Sequence, residues 1–284
     1  MVKFEIEIKP KFIPVLRKGL LDFAKAIEQQ TAYICISETE LRFYNVISNI
    51  NHDFHLRASL VFNLDEITNK KNVTLKDKSG TVNLTLNKVS ELNTPLGFTN
   101  YYQEMCLKLV KDNSGKRSLR VKLSKSESQE MIYTNDCGIE FTSLKFPPDQ
   151  NPKFELELKS QYLKGMMDLS HKSEVNLVFN FCFAEKKVEV VLPNQNVSIS
   201  MSAHFSVNDA KLQGVPMVSY ILYHKFCKKL ASSIVFDAPI KIGLNKEDEL
   251  YIDNNLSGGN GPEDASLGKF RFMIPMIATK AEDN

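Results

Sequence analysis

His52-Asp53-Phe54-His55 places two imidazoles three positions apart with a carboxylate between them. Those are donor types a divalent metal accepts. No further convincing ligand lies near them, and a loop running into a strand would scatter the set, so no metal site is expected. His171 and His204 are not near a Ser or Cys nucleophile elbow, and Gly-x-Ser-x-Gly does not occur. Ser257-Gly258-Gly259-Asn260-Gly261-Pro262-Glu263-Asp264 lacks the Gly-Lys-Ser/Thr ending of a phosphate cradle and reads as a surface loop. Glu5 with Glu7, and Glu155 with Glu157, put paired carboxylates on one strand face, the residue types of general acid and base. That face lies opposite the apolar one and reads as a solvated negative wall. The cysteines (Cys35, Cys106, Cys137, Cys182 and Cys227) are odd in number and never in C-x-x-C spacing. They read as reduced core or strand residues of an intracellular protein, Cys227 being core at helical spacing from Tyr223 and Leu230. No catalytic constellation emerges, so neither enzyme activity nor a cofactor is expected.

Lysine is the residue type that recurs in a pattern. In segment 10–29, Phe12, Leu16, Leu20, Phe23 and Ile27 form one apolar helical stripe. Lys11, Lys18 and Lys25 lie on the other face, with Asp22 the only acid close by. Segment 160–172 turns Leu163, Met166, Met167 and Ser170 inward and leaves Lys164 and Lys172 outward. In segment 220–232, Leu222, Phe226 and Leu230 form the stripe, His224, Lys225 and Lys228 the far side, and Lys229 a flank. One such helix is an ordinary solvated face. Three of them, with acids gathered on strands and loops, would give a positive surface to a chain whose net charge is only +2. Lysine outnumbering arginine suits point-charge contact with phosphate more than bidentate reading of bases.

An internal repeat says which elements hold these residues. Lys3-Phe4-Glu5-Ile6-Glu7-Ile8-Lys9 recurs as Lys153-Phe154-Glu155-Leu156-Glu157-Leu158-Lys159, and both copies alternate as half-buried strands do. A helical segment and then two strand-like runs follow each copy, the order expected of a duplicated domain. Between the halves, Leu144 to Pro152 carries three prolines and reads as an extended connector. The expected organisation is therefore 1–143, a connector at 144–152, and 153–284. Many short strands with two helices per half predict an α+β fold, antiparallel sheet with helices lining one face. In 284 residues, 43% are hydrophobic and 25% charged, as in a folded soluble chain. No apolar run is long enough to span a bilayer and the N-terminus lacks a signal-peptide core, so no membrane partner is expected.

In this arrangement the chain resembles the DNA sliding clamps. Met166-Met167-Asp168-Leu169-Ser170-His171 is similar to the second-domain helix of the proliferating cell nuclear antigens. Gly268-Lys269-Phe270-Arg271-Phe272-Met273-Ile274-Pro275 is similar to the family's closing strand, and Leu144 to Pro152 stands in the connector's place. The chain resembles most the Hus-type subunit of the heterotrimeric 9-1-1 checkpoint clamp, through Phe4 to Leu41, Thr81 to Leu86, Met131 to Asp136 and the Phe-Met-Ile-Pro ending. The replicative clamps' Arg-Cys-Asp-Arg-Asn signature is replaced by Ala58 to Leu64. The resemblance implies a DNA clamp fold: a ring around double-stranded DNA, contacted without regard to sequence, with helices facing the hole. The residues it assigns to DNA are Lys11, Lys18, Lys25, Lys164, Lys172, His224, Lys225 and Lys228. It also implies two further clamp subunits, a clamp loader, a nuclear location, and client proteins of checkpoint and repair that insert aromatic-bearing peptides. Leu144, Phe146, Pro147, Phe272, Ile274 and Pro275 would line the peptide groove, although a core layer would use the same residue types. Subunit contacts fall on candidate edge strands, at Tyr133 and Ile139 and at Val197, Ser198, Ile199, Ser200 and Met201. An internal strand would show the same alternation. A homotrimeric replicative or viral processivity clamp is the alternative reading.

Overall fold

The computed structural model describes residues 3–27, 31–48, 55–75, 80–125, 131–142, 152–183, 185, 187–193, 197–202, 206–207, 217–233, 239–245, 249–256 and 267–274. The chain divides into two compact units, residues 1–47, 58–147 and 256–270 in the first and residues 48–57, 148–255 and 271–284 in the second.

The first unit runs β1 (Lys3–Ile8), a 3-10 turn (Pro10–Phe12), α1 (Ile13–Ile27), β2 (Ala32–Ser37), β3 (Glu40–Ser48) and β4 (His55–Asn63). It continues with α2 (Leu64–Ile67), β5 (Thr68–Thr74), β6 (Thr81–Leu86), α3 (Ser90–Phe98), β7 (Glu104–Lys111), β8 (Arg117–Ser124) and β9 (Ile132–Phe141). Its strands lie in the order β4-β3-β2-β6-β9-β8-β7-β1-β5. Period-two alternation buries Phe4, Ile6 and Ile8 on β1 and Ile34 and Ile36 on β2. The α1 stripe of Leu16, Leu20, Phe23 and Ile27 closes over that face. Phe23 meets Phe43 and Phe270 at centroid distances of 6.2 Å each. Gly19 permits the close approach: a Cβ there would lie 3.3 Å from both Leu60 and Phe62.

The second unit repeats the theme with β10 (Phe154–Lys159), α4 (Ser160–Ser173), β11 (Leu177–Cys182) and β12 (Lys187–Leu192). After β13 (Val197–Ser202), β14 (Ser206–Val207) and β15 (Val218–Leu222) come α5 (His224–Ser233), β16 (Pro239–Leu244) and β17 (Leu250–Asn255). β18 (Gly268–Ile274) begins in the first unit and ends in the second. One set of strands is ordered β14-β10-β16-β17, and a four-stranded sheet is ordered β13-β12-β11-β15. The core gathers aromatics, with Phe154 at 4.9 Å from Phe181 and 5.2 Å from Phe183. α4 and α5 are joined where the Ser170 hydroxyl lies 3.2 Å from Cys227 Sγ. Burial pushes the Cys227 thiol up to about 11.

The opposite face of β10, β16 and β17 carries a charged layer. Glu155, Gly243 and Tyr251 stand in one cross-strand row. Because Gly243 has no side chain, the Tyr251 ring lies over its backbone, where a Cβ would come within 2.3 Å. The phenol thereby reaches across to donate to Glu155 at 2.8 Å, and Lys241 donates to the same carboxylate at 2.9 Å. Arg271 grips Asp253 with two bonds of 2.5 Å each and stacks 4.7 Å from the Tyr251 ring.

Several expectations need correction. The helix expected over 220–232 starts at His224, because Tyr220 and Leu222 are buried residues of β15. Asn176 sets the start, its side chain accepting from the His224 N–H at 3.1 Å. Lys11 belongs to the 3-10 turn before α1, so it does not continue that helix's lysine series. The carboxylates read as a solvated wall are matched to lysines: Glu5 with Lys108 at 3.0 Å, Glu7 with Lys70 at 3.3 Å, Glu155 with Lys241. α2 and β5 were not expected at all. Thr68-Asn69-Lys70-Lys71-Asn72-Val73-Thr74 has no apolar alternation because it is an outermost strand, where lysines guard the open backbone.

Candidate nucleic-acid interface

The DNA contacts expected from the sequence fall on α1 and the turn before it in the first unit, and on α4 and α5 in the second. In the first unit, Lys18 is 57% exposed and pairs with Asp22 one turn later at 2.9 Å. Lys11 is exposed, with its ammonium 4.6 Å from the Phe12 ring. Lys25 lies in α1, but its side chain is outside the described residues. Arg17 is a further cation of α1, one the resemblance did not assign to DNA. Its guanidinium donates to Asn100 at 2.5 Å and ties α1 to the 3-10 turn after α3. α3 brings no lysine to its surface; Phe98 and Tyr101 are exposed at its end.

The second unit presents the barer cations. Lys172 on α4 and Lys225 and Lys228 on α5 are exposed and make no ion pair among the described residues. Lys164 and His224 are half-buried. Asp168 is the exposed acid on this pair of helices. α4 ends where Glu174 adopts the left-handed conformation at φ 56°, and His171 and Lys172 sit in its last turn, where a cation is favoured. The arrangement can attract polyanion phosphate diffusely. It has no fork of donors fixed to read a base edge.

The other expected sites fare differently. Phe272 and Ile274 are 1% and 4% exposed and share the face of Phe270, so alternation puts them in the core and not in a peptide groove. Leu144, Phe146, Pro147 and Pro275 lie outside the described residues. Ile139 is also core: it is 5% exposed and paired with Leu86, where β9 leaves β8 for β6. Tyr133 is half-buried with its ring 5.1 Å from Phe98. Among the described residues, β9 pairs with β8 alone over residues 132–138, and the Gly138 N–H, which points away from β8, donates to the Glu91 carboxylate at 3.0 Å. The same alternation turns the backbone groups of Ile132, Thr134 and Asp136 to the open side. Met131 and Ile132 are exposed there at 59% and 58%, and nothing in the alternation of a short strand marked them. Among the described residues β13 is the outermost strand of its sheet and pairs with β12. Ser198 on it is exposed, and the side chains of Val197, Ile199, Ser200 and Met201 are outside the described residues. His52, Asp53, Phe54 and His204 are likewise outside them. Among the described residues no cluster of His, Cys, Asp and Glu could hold a metal ion, and no helix is long and apolar enough to cross a membrane.

No family model matches the chain, and no curated protein does. Among solved structures it is similar to the crystal structure of proliferating cellular nuclear antigen from Entamoeba histolytica, with a TM-score of 0.63 and 13% identity. The likeness covers 98% of this chain and 100% of that one. The chain has the α+β fold of that clamp.

Proposed function

We propose that this chain is one subunit of a ring-shaped sliding clamp that encircles duplex DNA. The observation that carries the reading is the coincidence of that fold over the chain with Lys172, Lys225 and Lys228, exposed on α4 and α5 and in no ion pair among the described residues. A ring that moves along DNA needs phosphate attraction without base contacts, and surface lysines supply that. The open side of β9 and the outermost strand β13 are suited to pairing head to tail between neighbouring subunits, a heterologous contact that a ring closes. Tyr133, with Phe98 and Ile132, supplies the apolar part of that contact; Val197 to Met201 supplies the strand facing it.

Within the clamps, we assign the chain to the checkpoint type, in which it joins two other clamp-like chains in the nucleus. A loader opens that ring, and checkpoint and repair clients dock on it. The support is the match of Phe4 to Leu41 and of the Phe-Met-Ile-Pro ending, with Ala58 to Leu64 where replicative clamps carry Arg-Cys-Asp-Arg-Asn. The likeness to a proliferating cellular nuclear antigen favours the second reading, a replicative homotrimer. Native mass spectrometry of the purified chain, alone and co-purified from its own cells, separates them. A monomer that trimerises only with two different chains supports the checkpoint reading, and a self-assembled trimer replaces it. A chain that never associates removes the ring.

A further inference from the structure

The hairpin of β7 and β8 encloses a groove of about 470 Å³ on the sheet face opposite α3. Four cations line it, Lys108, Lys111, Lys116 and Arg120, against two acids, Asp112 and Asp136. Both acids are already engaged. Asp136 is held by Arg120 through two bonds of 2.7 and 2.8 Å. Asp112 accepts from the Ser114 hydroxyl at 2.6 Å and from the Lys116 N–H at 2.8 Å. Lys108 is matched to Glu5. Lys111 and Lys116 are left, both exposed and without an ion pair among the described residues. The turn that carries them is firm: Gly115 takes φ 89°, and the Asp112 N–H donates to the Lys116 carbonyl at 2.9 Å. Such a turn fixes where the two stems start.

From this geometry we propose that the groove is a docking site for an acidic peptide segment of a client protein, with Lys111 and Lys116 taking its carboxylates. The surplus of charge is positive, so an anionic occupant is favoured. None of the lining residues is aromatic, so a nucleic-acid base has no ring to stack on. The floor beside Gly138 is open, since a Cβ there would meet nothing within 4 Å, and a peptide backbone can approach. The groove shares no lining residue with the lysines assigned to DNA.

The test is fluorescence anisotropy of a fluorescein-labelled poly-glutamate peptide titrated with the full chain. Saturable, salt-sensitive binding is expected, weakened roughly tenfold or more by Lys111→Glu with Lys116→Glu, because like charges then face each other. Lys88→Glu, the same kind of substitution at one exposed position outside the groove, should leave it intact. Absence of saturable binding overturns the site, as does equal binding by the double variant or equal loss in the Lys88 variant. Competition by a duplex oligonucleotide that is itself lost in the double variant would reassign the groove to nucleic acid. Circular dichroism and melting of the double variant, matching the parent, exclude misfolding as the cause.

Discussion

Replacing Arg271 by leucine should unfold the second unit's charged layer from its centre. The Arg271 and Asp253 side chains are 12% and 6% exposed, so removing the guanidinium leaves a carboxylate that water cannot reach. Breaking a buried pair from one side costs about 3–5 kcal/mol, and the lost stacking on Tyr251 adds about 1 kcal/mol. In a unit of this size each kcal/mol lowers the thermal midpoint by roughly 2–4 °C, so a fall of about 8–24 °C is expected in differential scanning calorimetry. The double variant Arg271→Leu with Asp253→Asn should recover most of the loss, since no buried charge is then stranded. A single-variant shift below about 3 °C, or a double variant no better than the single one, would refute the reasoning.

Lys172→Ala, Lys225→Ala and Lys228→Ala together should flatten the slope of log affinity against log salt for duplex DNA by about 2.7, at about 0.9 per phosphate contact. An unchanged slope in filter binding across a salt titration removes these helices from the interface. Phe98→Asp or Ile132→Asp should abolish assembly in native mass spectra while shifting the monomer's melting little, because both side chains are already exposed in the single chain. For Glu155, desolvation raises the carboxyl's pKa, but the bonds from Lys241 and Tyr251 outweigh it and hold it below the usual range. A depressed carboxylate contributes stability that is present above its ordinary pKa and lost as pH falls through the lowered one. Urea midpoints of Glu155→Gln and the parent should therefore differ at pH 7 and converge in acid. Burial pushes the Cys137 thiol up to about 12 and Cys227 to about 11, so neither should react with a disulfide reagent at pH 8 until the chain is unfolded.

The duplicated strand and helix were legible because alternation and the helical stripe both report burial, and Phe4, Ile6, Ile8, Phe154, Leu156 and Leu158 are all core. β5 was not legible, since an exposed lysine-rich edge has no buried face to mark it. For the candidate sites, sequence types alone could not separate core from surface. Phe272 and Ile274 have the composition of a groove but the parity of the core, and only their neighbour Phe270 packing on Phe23 reveals which. Ile139 fails as a contact residue for a related reason, because one strand changes partner part-way along its length. The exposed lysines of α4 and α5 were legible from their places opposite Met166, Met167, Phe226 and Leu230, all buried.

The central claim concerns topology, and retention on closed DNA tests it most directly. The assembled protein, loaded onto a nicked circular duplex and washed in high salt, should stay bound through enclosure although its phosphate contacts are screened. Cutting the circle once should release it from the free ends. Equal loss from circular and linear duplex in the same wash would contradict the account and leave only surface binding by the helix lysines.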